Sequence, residues 1–233
     1  MANMNQHTQL VETDVLVIGG GSAGLRAALA ARNKGAKVLV VNRGGTYSGG
    51  STAYLDKLIE FTGLGVSIGD QESDLYYEEL KRFGRKINSP GLLKVFTADD
   101  ERELQFLESI GIQFMRKGED YVWMKLPSHT RPRVLRGMED FGSEILKRMV
   151  KACQMVGVEF LTHTQVYRLV KDSQGRPRWA LAIRKSSGGS QEVQIRFSSL
   201  VLATGGFGNL FSYSTNPQGY GSGMAMALDL GAT

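Results

Sequence analysis

The stretch DVLVIGGGSAGLRAALAARNKGAKVLVV, residues 14–41, decides the fold class. It begins with the apolar run Val15–Ile18, which is typical of a parallel strand buried on both faces. Three glycines follow, and the Ala- and Leu-rich segment from Leu25 to Lys34 has the spacing of a helix. Gly35 ends that helix, and Lys37–Val41 is a second apolar strand. Strand, glycine turn, helix and strand within about thirty residues form the βαβ unit of a dinucleotide-binding fold.

The spacing of Gly19, Gly21 and Gly24 has a mechanical reason. The first glycine makes the tight turn, the second lets the backbone approach a pyrophosphate, and the third lets the helix pack on the strand. The helix N-terminus then offers N–H groups and the positive end of its dipole to phosphates. An acidic residue is usual at the end of the second strand, where it accepts from the ribose hydroxyls. This chain has Asn42 followed by Arg43, so we expect Asn42 to contact a ribose without a carboxylate.

The amino-acid composition excludes several classes of protein. The 233 residues are 42% hydrophobic and 22% charged, as in globular proteins, and the net charge of +5 is spread along the chain. Since there is no basic stripe interleaved with aromatics, nucleic-acid binding is not expected. Cys153 is the only cysteine, which excludes an intrachain disulfide and argues against a cysteine-based metal site. No run approaches the ~18 apolar residues of a membrane span, and the polar start lacks a signal-peptide core, so we expect a cytoplasmic protein.

The remaining segments predict helices and short strands around the βαβ unit. Helical spacing covers residues 72–86, 91–110 and 138–156, and a further helix starts at Ser222. A hairpin around Gly118 is predicted to pair residues 113–115 with 121–124. Turn residues separate five predicted short strands, at 159–161, 166–171, 178–184, 193–197 and 200–203. The predicted fold class is α/β: a Rossmann-like fold with a parallel sheet, inserted helices and a small antiparallel β-meander.

A second small-residue turn follows the apolar run Leu200–Leu202 and allows backbone to approach a ligand closely. In this order, the motifs resemble the flavoprotein family of succinate dehydrogenase, fumarate reductase and L-aspartate oxidase. The resemblance covers residues 13–233, after a polar tail at residues 1–12, and implies an FAD-dependent oxidoreductase acting on a small dicarboxylate-like substrate. The matching pieces are Asp14–Gly24, Gly50–Thr52, His129–Arg133, Ala203–Gly206, and Ser214–Pro217 leading to Gly221–Gly223.

The resemblance also implies where FAD binds. It assigns the pyrophosphate to the glycine turn, the adenosine ribose to Asn42 and Arg43, the flavin side to Ser51 and Thr52, and the adenine to the backbone of Val166. In succinate dehydrogenases a histidine bonded to the flavin stands at the Ser51 position, so FAD is expected to be non-covalent here. The implied cofactor-binding residues are Gly19, Gly20, Gly21, Ser22, Ala23, Gly24, Asn42, Arg43, Ser51, Thr52, Val166, Ala203, Thr204, Gly205, Gly206 and Ser222.

Two departures from the family pattern open alternatives. The family's Gln-Gly-Gly is replaced by Asp56-Lys57-Leu58, and its Thr-Gly-Asp-Gly by residues 220–223, where Ser222 replaces a carboxylate. The Gly-Ser-Gly at residues 221–223 and Leu210-Phe211 are more similar to the flavin subunit of adenylylsulfate reductase. One alternative is therefore a flavin subunit of that type. The other is a non-catalytic FAD-binding half of a split or multi-subunit complex.

The family's substrate-binding and proton-donating residues come after the point where this chain stops. We therefore assign no catalytic residue and expect an N-terminal FAD-binding portion without the capping and substrate domain. Expected partners are a small-molecule substrate and either an iron–sulfur electron-transfer subunit or a complementary catalytic half. His129, Arg131 and Arg133 have two interpretations, an anion clamp or structural ion pairs. The acidic residues at 99–103 have the spacing of a solvated helix face, and no metal is expected.

Overall fold

The computed structural model describes residues 8–54, 72–98, 100–125, 127, 129–137, 141–214 and 219–232. The sequence departure at residues 56–58 and the motif residues 215–217 lie outside these ranges. The helices are α1 (Ser22–Asn33), α2 (Glu72–Phe83), α3 (Pro90–Ala98), α4 (Asp100–Ser109), α5 (Phe141–Met155) and α6 (Ser222–Asp229). The strands are β1 (Gln9–Ile18), β2 (Val38–Val41), β3 (Arg116–Lys117), β4 (Asp120–Tyr121), β5 (Trp123–Met124), β6 (Val134–Leu135), β7 (Glu159–Leu161), β8 (Thr164–Lys171), β9 (Pro177–Ser186) and β10 (Gly189–Leu202).

The chain forms two compact units, residues 1–54 with 145–233, and residues 55–144. A six-stranded sheet in the order β7-β2-β1-β10-β9-β8 makes up the first unit. The first four of these strands are parallel, and β9 and β8 continue the sheet antiparallel. The predicted fold class, including the βαβ unit, is confirmed.

Both faces of the parallel part of this sheet are covered by packed side chains. Leu16 and Ile18 of β1 belong to the same buried cluster as Met226 of α6, whereas α1 packs against β1, β2 and β10. All four residues of β2 are buried. A central parallel strand is covered on both faces, which is why its sequence is a continuous apolar run. The sheet's carboxyl edge is therefore held by packing on both sides.

The β-meander differs from its prediction in one respect. The segments 193–197 and 200–203 were expected as separate strands, but β10 runs unbroken from Gly189 to Leu202. Its first part pairs with β9 and its later part with β1, so the polar Ser198-Ser199 pair lies within a strand and is not a turn. The side chain of Arg178 on β9 donates a hydrogen bond to the Ser198 carbonyl. β1 also starts earlier than predicted, because residues 9–12 of the expected tail pair with β10.

The second unit departs more from the sequence prediction. The helix expected over 91–110 is found as α3 and α4 on either side of residue 99, which is not among the described residues. The turn at Gly118 is present with a positive φ of 66°, but it joins β3 to β4. The predicted pairing of 113–115 with 121–124 is incomplete, since Trp123 and Met124 pair with β6. These strands are two residues long and carry too little alternation to fix a register.

A buried ion pair organises the second unit. Arg133, only 2% exposed, donates through Nη1 to the Glu79 carboxylate on α2, and the Thr130 N–H donates to the same carboxylate at 2.5 Å. Burial raises the pKa of Glu79, but the hydrogen bonds from Thr130 and the charge of Arg133 outweigh it, so its pKa lies below the ordinary 4.5. The guanidinium carbon also lies 5.0 Å from the Tyr76 ring centroid. For Arg133, the structural ion pair is therefore the correct interpretation.

Candidate functional site

Three loops meet at the carboxyl edge of the parallel strands. They follow β1, β2 and β10, and together with residues 48–52, residues 164–166 and the start of α6 they surround a cleft of about 600 Å³. Ligands of open α/β sheets bind outside the carboxyl ends of the strands. The cleft therefore occupies the position where the fold itself predicts a ligand.

The glycine turn after β1 has the three properties that its spacing predicts. Gly19 has a φ of 117°, and a Cβ there would lie 2.1 Å from the carbonyl oxygen of Ala203. A Cβ on Gly24 would lie 2.0 Å from the carbonyl oxygen of Gly19, so helix and turn touch without a side chain between them. At Gly21 the nearest atoms are 3.5 Å away, and this residue lines the cleft. Gly21 is thus the position where a ligand can approach bare backbone.

The N-terminus of α1 opens into the cleft. Its N-cap, Gly21, has no side chain to cap the helix, and Thr52 takes that role from the distant 48–52 loop. The N–H of Ser22 donates to the Thr52 hydroxyl at 3.1 Å, and that hydroxyl lies 3.2 Å from the Ser22 hydroxyl. Thr52 was predicted to lie along the flavin side, and the structure shows it hydrogen-bonded to the start of α1. The first amide of the helix is therefore held in place from across the cleft.

A second helix N-terminus lines the same cleft. α6 begins after Gly221, which has a left-handed φ of 70° and provides no side-chain cap. The Gly221 N–H donates to the Gly206 carbonyl at 3.1 Å, and a Cβ on Gly223 would lie 1.9 Å from the Thr204 hydroxyl oxygen. The start of α6 is therefore packed directly on the turn after β10. Two positive dipole ends, those of α1 and α6, lie in the wall of one cleft, which favours an anionic ligand.

The Asn42 side chain makes hydrogen bonds that a carboxylate at this position could not make. Its side-chain amide donates to the carbonyl oxygens of Gly45 and Ser48, at 2.8 and 3.3 Å. Its backbone carbonyl accepts from the N–H of Thr164 at 3.0 Å. A carboxylate cannot donate, so an acid at position 42 would lose both contacts to the loop that carries Ser48 and Gly49 into the cleft. The side-chain oxygen is the group that can accept from a ribose hydroxyl.

Fourteen of the sixteen predicted cofactor-binding residues line this cleft. The exceptions are Gly24, which packs on the Gly19 carbonyl, and Gly206, whose carbonyl accepts from Gly221. Their assignment to parts of FAD stays a prediction. The sequence missed other lining residues, among them Tyr220, Gln165 and Met226. Their only signal was closeness in sequence to Ser222 and Val166.

The comparison with known families decides the class. A model described as "FAD binding domain" matches residues 14–233. This chain belongs to the FAD-binding domain family. An L-aspartate oxidase from Caulobacter vibrioides is 30% identical over 223 residues, covering 93% of this chain and 42% of the relative. A fumarate reductase (CoM/CoB) polypeptide from Methanothermobacter marburgensis is 26% identical over 228 residues, covering 97% of this chain and 41% of the relative.

A solved structure supports the fold assignment. The Mycobacterium smegmatis Sdh1 complex in the apo form matches with a TM-score of 0.83 at 24% identity, over 96% of this chain and 39% of that chain. At this identity the match establishes the shared fold. The chain spans about two fifths of the length of the curated relatives given above.

The residues of the cleft fit FAD, the cofactor of this family. Gly21 leaves space that a Cβ would fill, and the two helix N-termini suit a pyrophosphate. Among the described residues, no helix combines the length and apolar character needed to cross a membrane. In the same part of the chain, no group of three His, Cys, Asp or Glu side chains is placed to hold a metal ion.

Proposed function

We propose that this chain is the FAD-binding portion of an oxidoreductase of the fumarate reductase, succinate dehydrogenase and L-aspartate oxidase type. The observation that carries the proposal is the cleft in which a bare glycine turn meets the N-termini of α1 and α6. The family match over residues 14–233 supports FAD as the ligand of that cleft. The L-aspartate oxidase and fumarate reductase relatives support the oxidoreductase class.

Each part of the cofactor has candidate contacts in the cleft. The pyrophosphate is assigned to Gly19–Ala23 and to the turn Ala203–Gly205 with Ser222, where the two positive helix ends offset its charge. The adenosine ribose is assigned to Asn42 and Arg43, and the adenine to the backbone of Val166. Ser51 and Thr52 complete the wall toward the flavin.

FAD is proposed to be held without a covalent bond. Ser51 lines the cleft. The resemblance to succinate dehydrogenases implies that it replaces their flavin-bonded histidine, and a serine hydroxyl does not make that linkage. Retention then depends on the helix N-termini and on the side chains that line the cleft, among them Asn42.

The chemistry divides between cofactor and protein. When bound, FAD supplies hydride transfer, here with a small dicarboxylate-like substrate, and the protein supplies binding, orientation and electrostatics. In this chain the backbone of the glycine turn orients the pyrophosphate, and Thr52 fixes the start of α1 through Ser22. No residue of this chain is assigned as the proton donor or acceptor of the reaction.

We propose that a complementary catalytic polypeptide covers an apolar surface next to the cleft. After β10, Phe207, Leu210, Phe211 and Tyr213 are exposed, Leu210 by 70% and Tyr213 by 96%. Contiguous exposed apolar residues mark interaction surfaces. The match covers about two fifths of the two curated relatives, and the remaining length of those proteins supports a further polypeptide at this surface. An iron–sulfur electron-transfer subunit is the alternative partner, and the proposed location is cytoplasmic, peripheral to the membrane only through partner subunits.

An absorbance spectrum of the purified chain, before and after adding FAD, tests the cofactor proposal. We expect a flavin spectrum that moves entirely to the supernatant on acid precipitation. Gly19→Val is the control, since its side chain would collide with the Ala203 carbonyl, and it should bind no FAD. A wild-type chain that takes up no FAD refutes the proposal, and flavin in the precipitate refutes only its non-covalent part.

The substrate class is tested in a second experiment. The FAD-loaded chain is combined with its complementary polypeptide and screened for flavin reduction or reoxidation with succinate, fumarate, aspartate and adenylylsulfate. A response to the dicarboxylates supports the proposal. A response to adenylylsulfate alone supports the adenylylsulfate-reductase-like alternative, which rests on the Gly221-Ser222-Gly223 start of α6.

A further inference from the structure

Arg43, to which the adenosine ribose is assigned, meets at the cleft a side chain that the proposed function does not explain, that of Tyr220. The guanidinium carbon of Arg43 lies 4.0 Å from the centroid of the Tyr220 ring, well inside the ~6 Å range of a cation–π interaction. Both residues line the cleft. Arg43 follows β2 and Tyr220 comes after β10, and β1 lies between these strands in the sheet. The pair therefore connects the two sides of the sheet edge at which the glycine turn lies.

The backbone on both sides of this contact is anchored. Next to Arg43, the carbonyl of Gly44 accepts a hydrogen bond of 2.9 Å from the connection between β7 and β8. Next to Tyr220, the N–H of Gly221 donates to the Gly206 carbonyl at 3.1 Å. Because neighbouring backbone is held on each side, both side chains start from fixed positions. The contact therefore joins two residues whose neighbours are each anchored by a backbone hydrogen bond.

We propose that Arg43 and Tyr220 form a clamp that retains bound FAD, and this rests on the proposed function. A guanidinium is planar, with its N–H donors at its edge, so a ring against its face leaves donors for the oxygen atoms of the adenosine ribose and of the phosphate next to it. Arg43 is the residue that contacts the cofactor. Tyr220 is a positioning residue, which holds the guanidinium over the cleft. The clamp supplies retention that a covalent bond would otherwise provide.

The rate of FAD release tests whether Arg43 and Tyr220 retain the cofactor. The full chain is loaded with FAD and diluted, and release is followed by the recovery of flavin fluorescence. Tyr220→Leu should release FAD about two- to fivefold faster, the value of an exposed cation–π contact. Arg43→Met should release it about tenfold faster or more, since a charge-assisted hydrogen bond is lost as well. Tyr220→Phe keeps the ring and should restore the wild-type rate.

A double-mutant cycle tests whether Tyr220 acts by positioning Arg43 or through a general effect on the structure. If Tyr220 acts through Arg43, the variant with both Arg43→Met and Tyr220→Leu should release FAD no faster than Arg43→Met alone. The release rate of Arg43→Met should also depend less on salt than that of wild type. All variants should keep the wild-type melting temperature without FAD, because Arg43 is exposed and Tyr220 is 48% exposed.

The outcomes separate this proposal from the proposed function. A wild-type chain that binds no FAD overturns both. A wild-type chain that binds FAD, while Tyr220→Leu releases it at the wild-type rate, overturns the clamp alone. Strictly additive effects in the cycle refute the positioning role of Tyr220, because they mean that the two side chains act independently.

Discussion

An alanine at Gly24 is expected to disturb the packing of α1, whereas an alanine at Gly21 should disturb only the ligand. At Gly24 the new Cβ would lie 2.0 Å from the Gly19 carbonyl oxygen and 3.3 Å from the Ala203 Cβ. Ordinary contacts need about 3.5 Å, so the helix must move by roughly 1.5 Å. Because the clash is with backbone, it belongs to the upper part of the overpacking range, about 2–3 kcal/mol, and the better helix propensity of alanine returns about 1 kcal/mol. We expect a net loss of about 1–2 kcal/mol, which lowers the melting temperature by about 2–8 °C.

At Gly21 the same substitution meets different surroundings. The backbone there has φ −80° and ψ 178°, which alanine adopts without strain, and the nearest atoms lie 3.5 Å from the added Cβ. Alanine lowers the conformational entropy of the unfolded chain, which stabilises the folded state by about 0.4–1 kcal/mol. Alanine is also a poorer N-cap than glycine, which costs a similar amount. Stability should therefore stay within about 0.5 kcal/mol. The Cβ would occupy space in the cleft, so we expect FAD to bind at least tenfold more weakly, about 1.4 kcal/mol.

Two assays distinguish the effects of Gly24→Ala and Gly21→Ala. Thermal unfolding without FAD reports the packing effect, and titration with FAD, followed by quenching of flavin fluorescence, reports the ligand effect. An unchanged melting temperature for Gly24→Ala would show that the helix is not packed on the Gly19 carbonyl. Wild-type FAD affinity for Gly21→Ala would refute the assignment of the pyrophosphate to this turn.

Four further predictions concern charged and polar groups. Arg133→Met should cost the unit of residues 55–144 about 3–5 kcal/mol in denaturant unfolding, because it leaves the buried Glu79 carboxylate uncompensated; a loss below 1 kcal/mol contradicts this. The pKa of Glu79 in the folded chain lies below the ordinary 4.5. The ionised carboxylate therefore contributes fully to the free energy of unfolding above pH 4.5, and this contribution is lost as the pH falls through the lower folded-state pKa. In acid unfolding, the stabilities of wild type and Glu79→Gln should therefore converge at low pH. Burial raises the pKa of Cys153 to about 12, so a thiol reagent at neutral pH should label it only after unfolding, and rapid labelling of the native chain would refute this. Asn42→Asp should weaken FAD binding more than Asn42→Gln, because only the amide can donate to the loop carbonyls.

The sequence predicted those parts of the site that depend on neighbouring residues. Gly19 makes the turn, Gly21 allows the close approach of a ligand, and Gly24 allows the helix contact. All three lie within six positions, so their spacing in the sequence is enough to predict this local geometry. The start of α6 at Ser222 was found because it follows a glycine turn. The strand β2 was found because burial on both faces makes it continuously apolar.

The rest depends on contacts between residues that are distant in sequence. Glu79 and Arg133 are 54 positions apart, and nothing local distinguishes a buried charged residue from an exposed one. The Thr52 hydroxyl reaches the start of α1 from a loop 30 positions later. The contact of Arg43 with Tyr220 requires β2 and β10 to flank β1, and only the sheet order reveals this. The continuity of β10, predicted as separate strands at 193–197 and 200–203, has the same origin, because pairing with β1 keeps Ser199 within the strand.

The position of β1 between β2 and β10 has a consequence for synthesis of the protein. Val15 pairs with Val38, which follows closely on the nascent chain, but Gln9 pairs with Val193. At about 5–20 residues per second, β1 waits roughly 10–40 s for this second neighbour. Until then one edge of an apolar strand has no partner, which is the condition under which nascent chains aggregate. The turns at 203–206 and 219–223 emerge later still, so FAD can be loaded only after most of this chain has left the ribosome.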